Sequence, residues 1–563
     1  MKKGILINTV TLLGCLILYI YVFWSLDRGI SSDEGWYLNG YVYPIFQSGI
    51  SDFHVVIRSV FSFLDFENVL GQRYFYFFFS LIVIGIFSQF SYLFLRLRFS
   101  LKVNRIFYTG SIFLVALFSY TFASPLLYYD TLQYLLFLLI FSLLFVSEVY
   151  PKLAYACFFG VGFLLLYTIT NYLPSGLLLS VLLLGWLFLV NKLHWRFLSF
   201  YVLGFLFSTI IYHFCIHSLI DYLNYTYKSF SLSQNVASDS LTLSSHSSKD
   251  LISGLFSYLT WTVFFFFFFL VMNGLSSWLS DLKVKKTISI IISSFPYIVA
   301  LLLAFRYRNV WVSNMFLIPI AFLLSDIFYA RIKRHRELSF SLKEMLFVVG
   351  FLLLPIVGIF GTNQPLQNKT MMFLVFWLIG IYILYARYRA ILRDITRKFL
   401  LPFTCLLVPV LFSYYGFFTR CHNYYGIRKA SFVLEDSTGL KNIKLVKYQK
   451  LYIEHLNRIL KEHHFKDGDV VLAFEVDLMA IFALGAAPDE HLYYTHSQMI
   501  NQAYVPQEKI NYILLSKRAE IDFADYMRQF SHWNFPEAYK RIEIGKFAEN
   551  MPDEYISVLY VMN

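Results

Sequence analysis

The chain has 563 residues, 58% of them hydrophobic, 20% aromatic and only 15% charged, whereas soluble globular chains carry about 25% charged residues. This balance excludes an ordinary soluble enzyme and predicts a polytopic membrane protein. The formal charge of +12 does not indicate nucleic acid: beyond Lys398, 17 Lys and Arg face 19 acidic residues, and the surplus cations border apolar segments instead of forming a basic, aromatic-interleaved face.

Apolar runs of about 20 residues, the length that crosses a hydrocarbon core as helix, recur from Gly4 to Phe418. Thirteen spans are predicted, at 4–26, 74–95, 106–124, 132–149, 153–170, 176–190, 197–220, 251–273, 287–305, 309–330, 345–361, 371–386 and 399–418. Only Pro151 and Lys152 break the apolar run between the fourth and fifth. Residues 1–418 therefore form a membrane α-helical bundle, and 419–563 have the composition of a soluble domain. Short cytoplasmic loops are enriched in Lys and Arg. With the N terminus inside, 22 cations fall on the cytoplasmic side and eight on the other (Arg28, Arg58, Arg73, Lys228, Lys249, Arg306, Arg308 and Lys369). An odd number of spans then places the C terminus outside. The first span is too long for a signal-peptide core and lacks a small-residue cleavage site, so it reads as a retained anchor.

The first outer loop, 27–73, opens with "SSDEGWYLNG", in which Asp33 and Glu34 are adjacent. Ser31 and Glu34 fit a capping box, which accounts for Glu34 and leaves Asp33 as a charge favoured in a first turn. Farther along, "YLNGYVYPIFQ" and "FHVVIRSVFSFL" read as interfacial helices rich in aromatic residues. A second acid, Asp130 in "SPLLYYDTLQ", stands beside Tyr128 and Tyr129 where the fourth span begins. Its simplest role is an N-cap, although acids at a membrane surface are more often functional than acids elsewhere. Two converging carboxylates can act as a general base or, through Glu34 and Asp130, hold a divalent cation such as Mg or Mn. A phosphate-bearing substrate would need cations. Arg306 and Arg308 in "FRYRNVW" are the best placed, followed by Arg58, Arg73 and Lys369, because a guanidinium matches phosphate oxygens in pairs.

"NYLPSG", 171–176, and "GTNQPLQNKT", 361–370, are outer turns, and the Ser-rich stretch 229–250 is a linker or a lid. The five cysteines have neither metal-ligand nor redox spacing and read as small core residues. In the C-terminal domain "NIKLV", "DVVLAFE", "INYILLS" and "ISVLYVM" read as strands, and "YQKLYIEHLNRILKEH" reads as a helix with Tyr452, Leu456, Ile459 and Leu460 on one face. Strands alternating with helices predict a small extracytoplasmic α/β domain. His463 with His464, and His491 with His496, have spacings unsuited to shared zinc ligation.

A single N-terminal span followed by "SDEGWYL", the acidic "YYDTLQYLLFLL", the "NYLPSG" turn and an outer α/β domain together resemble the GT-C membrane glycosyltransferases, and within them the protein mannosyltransferase and lipid A aminoarabinose transferase-like group (glycosyltransferase family 39-like). The resemblance covers the layout of the whole chain but only about two dozen residues in specific motifs. It implies an inverting transferase that moves a sugar from a polyprenyl-phosphate donor to a glycolipid, polysaccharide or protein acceptor at the outer face of the cytoplasmic membrane. On the same basis Asp33 would be the catalytic carboxylate, Glu34 its neighbour and Asp130 the second acid. Many relatives have Lys-Gly-Pro where this chain has Asn171, Tyr172, Leu173 and Pro174, which moves the expected phosphate contact toward Arg306 and Arg308. A glycolipid flippase or transporter is the alternative from another class, but no internal repeat or midplane charge of the transporter kind is present. A surface-polysaccharide polymerase or ligase would share the lipid-linked substrate.

Overall fold

The structure is a computed structural model that describes residues 2–43, 46–47, 53–122, 125–224, 226–227, 248–281, 295, 298–299, 302, 312–334, 341–360, 370–392, 396–398, 400–405, 407–408, 429–435, 437, 439–474, 477–489, 491–492, 510–530, 533–547, 549 and 551–563. Arg306, Arg308, Lys369, most of the Ser-rich stretch and most of the spans at 287–305 and 399–418 lie outside the described residues.

The N-terminal part is helical. In chain order it contains α1 (Lys2–Ser25), α2 (Ser32–Val42), the short strand β1 (Phe46–Gln47), α3 (Phe53–Val60), α4 (Val69–Phe99), α5 (Arg105–Ala116), α6 (Ser119–Phe122), α7 (Tyr129–Val149), α8 (Ala154–Asn171), α9 (Leu173–Leu189) and α10 (Trp195–Ile211). After these come α11 (Ser248–Asp281), α12 (Val312–Phe316), α13 (Ile318–Arg334), α14 (Leu342–Ile359) and α15 (Leu374–Tyr388).

Among the described residues eight helices are long and apolar enough to cross a membrane: Asn8–Ser25, Val69–Phe99, Tyr129–Val149, Pro151–Asn171, Trp195–Ile216, Ile252–Trp278, Leu342–Ile359 and Thr370–Tyr388. Those at 129–149 and 151–171 settle the closely spaced pair as two helices. Arg105–Ala116 and Leu173–Leu189 are apolar but shorter, and the stretch read as one span over 106–124 is divided between α5 and α6.

α7 and α15 bury most of their residues and form the centre of the bundle. Here aromatic rings interlock, with Phe141 meeting Phe376 at 5.2 Å and Phe137 meeting Phe373 at 5.3 Å between centroids. α10 and α11 instead leave Leu203, Phe207, Ile210, Phe256, Phe267 and Val271 exposed, the apolar outer surface expected of helices that face lipid. α8 and α10 approach closely enough that a side chain at Gly162 would run into the Tyr201 carbonyl, and one at Gly204 into that of Phe159. Small residues let membrane helices touch backbone to backbone.

Several predicted cytoplasmic loops meet at one end of the bundle. Glu148 binds Lys192 at 2.8 Å and lies 3.9 Å from Arg98, the Lys343 ammonium donates to Asn191, and Arg387 pairs with Glu344 at 3.2 Å.

The C-terminal part contains α16 (Lys447–Glu462), β2 (Val471–Ala473), α17 (Asp477–Ala483), β3 (His491–Leu492), β4 (Tyr512–Ser516), α18 (Lys517–Met527), β5 (Tyr539–Gly545) and β6 (Ser557–Met562). Its four-stranded sheet has the order β2-β4-β6-β5, parallel between β2 and β4 and antiparallel elsewhere. Tyr452, Leu456, Ile459 and Leu460 are buried along α16, as the helical spacing predicts. "NIKLV" forms only isolated bridges, Lys444 with Arg28 and Leu445 with Phe432, because its backbone bonds are divided between two different segments.

Candidate functional site

Ser31 caps α2: its hydroxyl accepts from the Glu34 amide, and its own amide donates to Glu34 Oε2 at 2.9 Å. The capping box is therefore real, but it is half of Glu34's environment. The Arg73 guanidinium, fully buried on α4, donates to Glu34 Oε1 at 2.8 Å and Oε2 at 2.9 Å. It also donates to the carbonyls of Leu26 at 2.7 Å and Gly29 at 2.8 Å. Arg73 thus ties the end of the first membrane helix, the turn after it and α2 into one unit. An ion pair removed from water needs additional hydrogen bonds of this kind; both terminal nitrogens of Arg73 have them, and only its buried Nε lacks a partner. Arg73 faces Glu34 rather than an opening. Arg58, on α3, is half-buried and lies 3.5 Å from the Tyr43 carbonyl. Asp33 occupies the first turn of α2, and its side chain is outside the described residues.

The other face of α2 is covered by the C-terminal part. The Asn39 amide donates to the carbonyls of Gly35 at 2.7 Å and Leu478 at 2.8 Å, and a side chain at Gly35 would collide with the main chain of Leu478 and Met479. Gly29 donates to the Lys444 carbonyl at 2.8 Å, Gln449 to the Ile30 carbonyl at 3.2 Å, and Lys444 pairs with Asp27. Strands β1 and β3 extend the junction by pairing Phe46 with His491 and Gln47 with Leu492. α17 is itself pinned to the sheet, since buried Asp477 accepts from the hydroxyls of Ser557 and Tyr452.

Toward the bundle, a run of rings connects α2 to α7. Tyr37 stacks on Tyr128 with centroids 4.4 Å apart and planes 18° from parallel, Phe53 meets Tyr129 at 5.5 Å, and Tyr129 stacks on Tyr172 at 6.2 Å. Asp130 is buried in the first turn of α7. The Tyr172 phenol titrates well above the usual range, first because it is buried and second because the Asp130 charge is near. The Asn171 amide donates to the Tyr129 carbonyl at 2.8 Å and to Gln133 at 2.9 Å, and Gln133 donates to Ser175 at 2.9 Å. "NYLPSG" therefore braces the first turn of α7, a part its sequence did not announce.

The structure thus gathers the acid-bearing helix α2, Tyr128, Tyr129, Asp130 and the Asn171 turn at one end of the bundle. Sequence reasoning missed the Glu34–Arg73 pairing, the Gly35 contact and His54, whose only signal was a histidine within the apolar run "FHVVIRSV". The described donors do not suit a divalent cation: Glu34 is held by a guanidinium, and among the described residues no three His, Cys, Asp or Glu gather as ligands. Comparison with protein-family models and with curated proteins brings no match.

Proposed function

We propose that this chain is a membrane glycosyltransferase that moves a sugar from a polyprenyl-phosphate donor to an acceptor at the outer face of the cytoplasmic membrane. The observation that carries the reading is the meeting of α2, the α7 first turn with Asp130 and the Asn171 turn beneath the C-terminal part. Active sites combine mostly apolar and aromatic walls with a few convergent polar groups, and this end of the molecule has that composition. The cation bias and the thirteen-span reading of the sequence would place the N terminus in the cytoplasm and this end outside. The gathering of Arg98, Lys192, Lys343 and Arg387 segments at the opposite end is consistent with that topology.

In this mechanism Asp33 takes the proton of an acceptor hydroxyl. The resulting oxygen attacks the anomeric carbon from the side opposite the phosphate, forming the new glycosidic bond while the carbon–oxygen bond to phosphate breaks. The electron pair leaves with the polyprenyl phosphate, and the configuration inverts. Arg306 and Arg308, with Arg58 and Lys369, are the candidates to stabilise the departing phosphate charge. Glu34 and Arg73 hold α2 in register for the step. An acceptor that is already ionised would need positioning and no base.

The test compares glycolipids and envelope polymers by mass spectrometry in a strain lacking the protein, complemented with wild type or with Asp33→Asn at equal abundance. A sugar-sized mass increment that requires the protein and disappears with Asp33→Asn supports the assignment. Full restoration by Asp33→Asn rejects Asp33 as the base.

A further inference from the structure

Between the membrane helices α9 and α14 runs an apolar groove of about 220 Å³. Its floor is a set of buried rings, in which Trp186 meets Phe347 at 5.1 Å and Phe141 of α7 at 5.8 Å between centroids. Its rim carries exposed Phe188 on α9 and exposed Val349 and Leu353 on α14. Each wall also contributes a glycine, Gly185 and Gly350, and a side chain added at either would meet nothing within 4 Å. Gly162 and Gly204 let helices touch; Gly185 and Gly350 instead widen the groove.

One end of the groove is cationic. Arg98, in the last turn of α4, holds its guanidinium 5.6 Å from the Phe347 ring and donates to the Leu189 carbonyl at 3.4 Å, and both of those residues line the groove. Lys343 stands one turn before Leu346 and Phe347 on α14 and donates to Asn191, just past α9, so it bridges the two walls. Asn191 is neutral, and this contact leaves the ammonium charge unbalanced. Glu148 lies 3.9 Å from Arg98 but 2.8 Å from Lys192, so two cations share one carboxylate.

We propose that this groove holds one acyl chain of an anionic phospholipid, with the headgroup phosphate against Arg98 and Lys343. Lipid tails are as apolar as leucine, so apolarity alone does not retain a lipid inside a bilayer. Retention needs a preformed space with matching charge at its end, and each cation near an anionic headgroup contributes about 1 kcal/mol. A zwitterionic headgroup brings its own ammonium to these cations and is the poorer match. Walls without polar groups give water nothing to hold it. On the topology proposed above this end faces the cytoplasm, and the lipid is one of the cytoplasmic leaflet. Bound there, it joins α4, α9 and α14 at the end of the bundle away from Asp33, and the site does not rest on the transferase reading.

The test uses full-length protein in detergent, first as purified and then delipidated and returned to mixed micelles of dioleoylphosphatidylglycerol or dioleoylphosphatidylcholine. Native mass spectrometry reads the bound lipid, and the thermal midpoint is followed in parallel. Wild type is expected to keep phosphatidylglycerol as an adduct that raises the midpoint, and to bind phosphatidylcholine about tenfold more weakly or less. Gly185→Leu and Gly350→Leu fill the groove and lose the adduct, while their lipid-free midpoints match wild type because each new side chain enters open space. Gly274→Leu, at an equally open position on α11 outside the groove, keeps the adduct. Lys343→Gln weakens phosphatidylglycerol about fivefold and leaves phosphatidylcholine unchanged. An adduct retained in both groove variants overturns the inference, as does equal binding of the two lipids by wild type. A polyprenyl phosphate as the lipid of the purified protein also overturns it, and so does a dimer that both groove variants dissociate, which would make the groove the seat of a second copy. If the groove variants yield no folded protein, Lys343→Gln decides, and an unchanged preference for phosphatidylglycerol overturns the inference.

Discussion

Replacing Arg73 by Met should destabilise the chain more than most single substitutions. The guanidinium is fully buried, contacts both Glu34 oxygens at 2.8 and 2.9 Å, and serves the carbonyls of Leu26 and Gly29 at 2.7 and 2.8 Å. Met retains much of the volume and none of the donors. It leaves a carboxylate stripped of its guanidinium partner, though still tied to the Ser31 amide at 2.9 Å, and two carbonyls deprived of their guanidinium donor. Removing one partner of a buried pair costs about 3–5 kcal/mol, and orphaned acceptors belong to the same penalty. Glu34→Gln should cost a similar amount by stranding the arginine charge. The double variant should recover at least about 2 kcal/mol relative to the sum of the singles, near the upper end of measured couplings. The assay is a denaturant titration of protein in mixed micelles for all four members of the cycle. A loss below about 1 kcal/mol for Arg73→Met, or additive singles, would refute the claim that this pair holds α2.

Gly35→Val should displace α17 from α2, because overpacking against main chain costs about 1–3 kcal/mol or more and the collision is with Leu478 and Met479 backbone; faster protease cleavage within 429–563 would report it. Gly162→Leu should separate α8 from α10, whose contact leaves no room beside the Tyr201 carbonyl, and is checked by loss of an engineered disulfide between the two helices. Asp27→Asn should cost at most about 1 kcal/mol and become neutral at high salt, since Asp27 and its partner Lys444 are 24% and 36% exposed. His54 is neutral when folded and its pKa lies below the ordinary 6.5. The unfolded chain therefore binds the extra proton first, and the stability linked to this site is complete above pH 6.5 and declines as pH falls below it. The decline is limited to about 1.4 kcal/mol per pH unit, and comparing wild type with His54→Phe between pH 7 and 5 isolates it.

What was legible in the sequence was local. Ser31 and Glu34 announced the start of α2 because a capping box involves residues three apart, and the face of α16 followed from helical spacing. The reading of "YLNGYVYPIFQ" as one interfacial helix failed at a nameable residue. α2 ends at Val42 and Tyr43 is extended, as a residue preceding proline prefers to be, and residues 46–47 form a strand. β5 was missed because its exposed charged residues, Lys540, Arg541 and Glu543, hide the apolar alternation on a sheet edge. The partners of Glu34 and Gly35 lie 39 residues and more than 400 residues away in sequence, and no local pattern carries such separations. Asp130 could be placed in a first turn, but the rings that join it to α2 come from four different segments.

These long-range contacts bear on why an acid pair should stand together on one short helix. A base in a transfer reaction must be held to within fractions of an ångström of its productive position, and an eleven-residue helix in a loop is by itself marginal. Glu34 supplies the missing rigidity. It closes the capping box on one side and takes Arg73 on the other, so the peptide that carries Asp33 is fixed to the first and second membrane helices and, through Asn39 and Gly35, to the C-terminal part. On the transferase proposal, adjacent carboxylates would divide the work: Glu34 is committed to structure, and Asp33, its neighbour in the same turn, would be the base. On this reasoning Glu34→Gln should reduce product through loss of folded protein, whereas Asp33→Asn should reduce product with abundance and thermal midpoint unchanged. The same deficit in folded protein for both substitutions would show that no division exists.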